Sequence, residues 1–119
     1  MLTKQLKRKR RHRRLRKKII GTRHVPRLNV YRSLSNFHVQ LIDDIEEKTI
    51  IGMSTLDKEI RQRFSYGGNV KAAQALGEVL AQRLKDKSIE RICFDRGGYQ
   101  YHGRIKALAD VLRKEGIKF

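Results

Sequence analysis

The sequence predicts an α+β domain in which a mixed sheet is covered by helices, in the order βββαβα, behind a basic N-terminal arm. Alternating apolar and polar residues indicate three short strands between residues 27 and 55. Apolar residues then recur at spacings of three and four over residues 70–86, which is the period of an amphipathic helix. A fourth strand and a last helix follow. A chain of 119 residues is long enough for one core, so we expect one globular domain.

The first three strands are predicted at residues 27–33, 37–43 and 49–55. In the second strand, Phe37, Val39 and Leu41 alternate with more polar neighbours and should share one buried face. The links between the strands are short, so the strands should pair as an antiparallel meander.

The long helix over 70–86 should begin at Asn69, a good N-cap, and the last helix should run from 104 to 115 before Gly116 ends it. Residues 57–63 are open to a short helical turn. Between the two long helices, residues 89–95 predict a strand. Because it follows a helical crossover, this strand should lie parallel to a strand of the meander. The apolar face of the long helix is predicted from Val70, Ala73, Leu76, Leu80 and Leu84.

Positive charge is concentrated at the N-terminus. Residues 1–42 hold 14 of the 29 Lys and Arg and no Asp or Glu, whereas residues 43–119 balance 15 against 12. Such a block repels itself until a polyanion neutralises it. We therefore predict a basic arm over 1–22 that is flexible in the free protein and becomes helical when it binds RNA. The alternative is a solvated tail that only aids solubility. Gly21 to Pro26 is predicted to be a hinge, and residues 23–119 the globular domain.

Other partners and compartments fit the sequence less well. The arm lacks the aromatic face of an interfacial helix, and the chain has no apolar run of transmembrane length or hydrophobic signal segment. An Arg-rich start alone leaves a transit peptide open, although the scarcity of Ser argues against one. The single cysteine, Cys93, excludes an internal disulfide and a cysteine metal cluster and predicts a small core residue in a reducing compartment.

No catalytic arrangement emerges from the residues. Asp43, Asp44, Asp57 and Asp95 could be imagined around magnesium, but their spacing does not require it, and Asp95 beside an arginine is more simply an ion-pair partner or backbone acceptor. The four histidines lack metalloprotease spacing, and the paired glycines of the loop lack the lysine of a P-loop. We predict no enzymatic activity, no cofactor, no metal and no small-molecule substrate.

Cations, aromatic rings and glycines instead predict RNA binding, since arginine recognises phosphate and aromatic rings stack on bases. Three segments supply them. From the arm the candidates are Lys7, Arg8, Lys9, Arg10, Arg11, Arg13, Arg14, Arg16 and Lys17. From the first hairpin they are Arg27, Tyr31, Arg32, Ser33 and Asn36. From the loop after the fourth strand they are Arg96, Gly97, Gly98, Tyr99, Tyr101, His102, Gly103 and Arg104.

The loop FDRGGYQYHGR, residues 94–104, is the most distinctive of these segments. Its two adjacent glycines would let backbone approach RNA where a side chain would block it. Tyr99 and Tyr101 are equally consistent with packing on the domain and with stacking on a base.

Residues 94–119 closely resemble the C-terminal end of the bacterial-type large ribosomal subunit protein eighteen family, in which the same loop motif precedes an Ala- and Leu-rich helix. The runs PRLNVYRS, QLIDD, STLDKE and GNVKAA resemble the family in the same order, so the resemblance covers nearly the whole chain. It departs from the family at 34–38, LSNFH, where relatives usually show Asn-Lys-His-Ile-Tyr. The resemblance implies that Arg32 and Ser33 correspond to the family's RNA-facing strand end, and that residues 96–104 correspond to its glycine and tyrosine loop.

The resemblance implies a non-catalytic protein of the large subunit that binds 5S rRNA and helps attach it to 23S rRNA in the central protuberance. Large-subunit protein number five would be its neighbour, and no membrane would be involved. The location would be the cytoplasmic ribosome, with an organellar ribosome left open. The alternative is a general basic nucleic-acid-binding protein or RNA chaperone.

Overall fold

Four strands form one mixed sheet in the computed structural model, which describes residues 3–64 and 66–119. The strands are β1 (Arg27–Arg32), β2 (Phe37–Asp43), β3 (Lys48–Ser54) and β4 (Cys93–Asp95). Their order across the sheet is β3-β2-β1-β4. β2 pairs antiparallel with both β1 and β3, whereas β4 pairs parallel with β1. The predicted meander and the parallel fourth strand are both confirmed.

The helices are α1 (Lys4–Arg16), α2 (Lys58–Arg61), α3 (Val70–Asp86) and α4 (Arg104–Lys114). The α+β class is therefore confirmed, with one helix ahead of the strands. β4 is shorter than predicted, because residues 89–92 precede its pairing with β1 and Arg91 instead bridges to Lys118 near the C-terminus. None of the helices in the described ranges is both long enough and apolar enough to cross a membrane.

The hydrophobic core lies between one face of the sheet and the helices α3 and α4. Phe37, Val39 and Leu41 are buried on that face as predicted. Asn69 caps α3, its side chain accepting a hydrogen bond of 2.8 Å from the backbone N–H of Ala72. The remaining predicted inward residues of α3 are buried, but Val70 is 42% exposed. It is the first residue of the helix, at the end of a face that is buried further along.

The segment between α1 and β1 is anchored to the sheet, contrary to the predicted hinge. Gly21 is buried; its N–H donates to Oδ2 of Asp44 over 2.7 Å, and its carbonyl accepts the backbone N–H of Asp44 over 2.9 Å. A Cβ on Gly21 would lie 2.4 Å from the backbone nitrogen of Arg27 and 2.5 Å from the carbonyl oxygen of Ile42. Gly21 is thus required for close packing on β1 and β2, which joins α1 to the body.

The substitution Gly21→Ala should lower the free energy of unfolding by about 1 to 3 kcal/mol, because the new methyl group meets backbone atoms that cannot move aside cheaply. The matched control is Gly52→Ala in β3, where a Cβ would have no neighbour within 4 Å. That control should be neutral or slightly stabilising, since alanine loses less backbone entropy on folding. Urea unfolding followed by circular dichroism measures both, and equal stabilities would contradict the packing role of Gly21.

Candidate nucleic-acid interface

The carboxylate of Asp95, at the end of β4, is the centre of the site. Its side chain is 0% exposed. Oδ2 accepts hydrogen bonds from Nη1 of Arg27 at 2.7 Å and from Nε2 of His12 at 2.9 Å, and Oδ1 accepts the backbone N–H of Gly97 at 3.0 Å. One buried charge therefore joins β1, β4, α1 and the glycine loop. Asp95 is a backbone acceptor, as predicted, but its ion pair is with Arg27 of β1 rather than with Arg96, its neighbour in the loop.

Arg27 lies in the interior, contrary to its prediction as an RNA contact. Its side chain is 8% exposed, and besides Asp95 it donates to Asp44 from Nε at 3.0 Å and from Nη2 at 3.1 Å. Burial alone would lower the pKa of Arg27, but the hydrogen bonds and negative charges of the two aspartates raise it overall. The hydrogen bond from Arg27 lowers the pKa of Asp44 despite some burial. Arg27 thus neutralises two carboxylates rather than meeting a phosphate.

One face of α1 is attached to the body by side-chain hydrogen bonds. Nη1 of Arg8 donates to the carbonyl oxygen of Gly97 over 2.9 Å, and Nε of Arg11 donates to that of Gly98 over 2.8 Å. Further along, Nη2 of Arg16 lies 3.5 Å from Oδ1 of Asp44. Backbone carbonyl oxygens and carboxylates therefore interact with part of the arm's positive charge. That the arm becomes helical only when it binds RNA remains a prediction. In the structure, α1 already has hydrogen-bond and ion-pair partners in the same chain.

The opposite face of α1 carries cations that point away from the body. Arg10, Arg13, Arg14 and Lys17 are exposed and line one shallow surface, at spacings of three and four that place them on a single side of the helix. Lys7 and Lys9 are also exposed. The arm thus divides by helical period into residues that attach α1 and residues left free for a polyanion.

The two loop glycines admit the chain itself rather than an external ligand. Both are buried and have positive φ, +66° at Gly97 and +79° at Gly98. A Cβ on Gly97 would lie 2.5 Å from the carbonyl oxygen of Val30, and one on Gly98 would lie 2.3 Å from that of Arg8. Close approach is therefore made by β1 and α1, so the predicted RNA contact at these glycines is replaced by a seat for α1.

A cleft of about 470 Å³ opens between α1 and the sheet. It is lined by Lys4, Gln5, Lys7, Arg8, Arg11, Tyr31, Arg32, Tyr99 and Gln100. Tyr31 is 50% exposed in it, whereas Tyr99 is only 8% exposed and packs under two guanidinium groups, with Arg8 at 4.7 Å and Arg32 at 4.9 Å from its ring centroid. Tyr99 thus packs on the domain, and Tyr31 is the tyrosine that presents a ring here.

The other predicted residues of the hairpin and the loop are not among those that line this cleft. Ser33 and Asn36 hydrogen-bond to each other and close the β1–β2 link. Arg104 begins α4, and its Nη1 lies 3.4 Å from the carbonyl oxygen of Asn36. Tyr101 contacts Phe94 and Arg113 at the C-terminal edge, away from the cleft. Arg96 is half-buried, His102 is exposed, and Gly103, with φ of +58°, precedes α4.

Two contributors were missed by the sequence analysis. His12 attaches α1 to Asp95, and Asp44 holds Gly21, Arg16 and Arg27 together. The helical spacing of Arg8, His12 and Arg16 was visible as a pattern. Nothing in the pattern distinguished the attached face from the free one, because both carry arginine.

The fold and this surface define a class: an α+β protein in which a basic helix is held against a mixed sheet beside a cationic, tyrosine-containing cleft, a surface suited to a polyanion. The chain belongs to the family described as ribosomal L18 of archaea, bacteria, mitochondria and chloroplast, whose model matches residues 2–119.

Similar proteins are named large ribosomal subunit protein uL18. That of Alkaliphilus oremlandii (strain OhILAs) is 51% identical over 118 residues, covering 99% of this chain and 97% of the relative. That of Acetivibrio thermocellus is 49% identical over 117 residues, covering 98% and 96%. That of Dictyoglomus thermophilum is 50% identical over 112 residues, covering 94% and 92%.

Membership of this family makes the chain a structural constituent of the large ribosomal subunit, where it partners with rRNA and other ribosomal proteins. The predictions of a ribosomal, rRNA-binding protein without enzymatic activity are confirmed.

The substitution Arg27→Met should lower the free energy of unfolding by about 3 to 5 kcal/mol, because it leaves the buried carboxylate of Asp95 and its neighbour Asp44 without their guanidinium. The control is Arg23→Met, which removes the same charge from an exposed position. Urea unfolding should separate the two variants clearly. If Arg27→Met is as stable as the control and loses only RNA affinity, the structural role assigned to Arg27 is wrong.

Proposed function

We propose that this protein binds 5S rRNA and helps attach it to 23S rRNA in the central protuberance of the large subunit, beside large-subunit protein number five. The observation that carries the binding mode is the free face of α1, where Arg10, Arg13, Arg14 and Lys17 are presented by a helix whose other face is attached to the body. The choice of 5S rRNA rests on the resemblance of residues 94–119 to the family motif.

The free face of α1 supplies phosphate affinity. Its arginines and lysine stand on one side of a helix and lie apart from the carboxylates of Asp44 and Asp95, which pair with the attached face. Cations of this kind release counterions from RNA and bind with little dependence on sequence. Because α1 is attached to the sheet, the charges have a fixed position relative to the cleft. They therefore favour an RNA whose phosphates have a matching arrangement in space.

The cleft supplies the second contact. Tyr31 presents a half-exposed ring among the cations of α1 and Arg32, which suits a base whose phosphate is held by arginine. Tyr99 acts from beneath by supporting Arg8 and Arg32. The two contacts together favour folded RNA with both a backbone groove and accessible bases over a uniform duplex.

Replacing the four cations of the free face with glutamine should flatten the salt dependence of RNA binding. The slope of log affinity against log salt is negative, and we expect its magnitude to decrease by about 0.7 to 0.9 for each phosphate that the variant no longer neutralises. Filter binding to 5S rRNA over a salt series measures the slope.

The control variant loses the same number of charges from exposed positions on the body. These positions are Lys58, Lys71, Lys87 and Lys118. A purely global charge effect predicts equal slopes for the two variants and would remove the free face of α1 from the binding mechanism.

Competition at physiological salt tests the choice of partner. The full-length protein should retain labelled 5S rRNA in the presence of excess duplex DNA of equal length, since DNA reproduces the charge but not the folded shape. Duplex DNA that competes as well as unlabelled 5S rRNA would assign the protein to general nucleic-acid binding instead.

A further inference from the structure

We propose that the tip of the first hairpin forms a second RNA subsite, in which Tyr66 stacks on an unpaired base and Arg32 and Arg104 bind its phosphate. The inference rests on the proposed function in that the ligand is RNA. It adds a contact that borders the cleft through Arg32 and a residue, Tyr66, that belongs to none of the three predicted binding segments.

The tyrosine is held in place at the tip. Its hydroxyl donates a hydrogen bond of 2.7 Å to the carbonyl oxygen of Leu34, which connects the loop before α3 to the β1–β2 link. Gly68 lies directly against this contact, since a Cβ there would meet the same carbonyl oxygen at 2.2 Å and the tyrosine hydroxyl at 2.6 Å. The ring is nevertheless 51% exposed. A fixed, half-exposed aromatic ring is the geometry that base stacking requires.

Arg104 is close to Tyr66 and to Arg32, and neither arginine has a counterion in the described ranges. Within residues 3–64 and 66–119, neither Arg32 nor Arg104 forms an ion pair with a carboxylate. Arg104 is half-buried and its guanidinium reaches one carbonyl oxygen at 3.4 Å, which is a weak hydrogen bond. Burial lowers the pKa of Arg104 and the charge of Arg32 lowers it further, while Tyr66 and Tyr99 raise it. Two neighbouring cations that repel each other are complementary to an anion.

The chemistry of the surface selects the ligand. A phosphate satisfies the arginine pair, and a planar base covers the tyrosine ring, so one nucleotide provides both. Leu34, 89% exposed in the same turn, adds apolar surface, and its burial under a base would be favourable. Stacking on a side chain requires a base free of its duplex neighbours, so the ligand is an unpaired nucleotide in a loop or bulge rather than a continuous helix.

A tryptophan reporter tests the stacking directly, because the chain contains no tryptophan. In the full-length Tyr66→Trp variant, titration with 5S rRNA should quench the indole fluorescence through contact with a base. The control variant is Ile45→Trp, at a 71% exposed position in the β2–β3 turn, at the opposite end of β2 from the tip. It should bind RNA without comparable quenching. Equal responses from the two variants, or none from Tyr66→Trp, would overturn the subsite.

Affinity measurements separate stacking from loop structure. Tyr66→Ala should weaken 5S rRNA binding between about fivefold and about a hundredfold, the range expected for one stacked base. Tyr66→Phe loses the hydrogen bond to Leu34 but keeps the ring, and should retain most of the affinity. If Tyr66→Phe loses as much as Tyr66→Ala, the residue acts by holding the loop and the stacking proposal fails.

The same reporter distinguishes this inference from the proposed function. Quenching by 23S rRNA or by a mixed-sequence single-stranded RNA, without preference for 5S rRNA, would reject the 5S assignment and leave the subsite standing. Selective 5S rRNA binding without quenching would support the 5S assignment and overturn the subsite. Quenching by a polyglutamate peptide and by no RNA would assign the tip to an acidic protein partner and overturn the subsite.

Discussion

The structure depends on a single buried carboxylate. Asp95 lies at the end of β4 with no exposed side-chain surface, and it is surrounded by a guanidinium from β1, an imidazole from α1 and a backbone N–H of its own loop. A buried carboxylate is costly unless every acceptor is used, so removing any partner exposes the cost of the remaining charge. The N-terminal helix, the parallel strand pair and the glycine loop are therefore coupled through one group.

That coupling explains how so basic a segment acquires a defined position. An isolated helix with this density of arginine and lysine is opposed by self-repulsion. Here Arg8 and Arg11 are satisfied by carbonyl oxygens of the loop, and Arg16 lies beside Asp44. The repulsion is reduced on one side of the helix and remains on the other, which is the exposed side that we propose binds RNA.

The tyrosines illustrate how one residue type serves two purposes on one surface. Tyr99 is buried and supports the arginines above it, whereas Tyr31 and Tyr66 keep half of their surface in solvent. The supporting ring positions the cations, and the exposed rings are those that we propose stack on bases. Positioned in this way, arginines and aromatic rings are preorganised, and less conformational entropy is lost when RNA binds.

The sequence by itself determined the elements and the family. Helical and strand periods report which residues face the core, so β2, α3 and α4 were predicted nearly to their ends, and the loop motif indicated the family. The roles of individual polar residues were decided by the tertiary structure. Arg27 and Arg96 look alike along the chain, yet one is buried between two aspartates and the other is half-exposed. Gly97 and Gly98 signal close approach, but only the fold shows that the approaching groups are β1 and α1. Periodicity is local, whereas the partner of a charge or of a glycine comes from residues distant in the chain, and only folding brings them together.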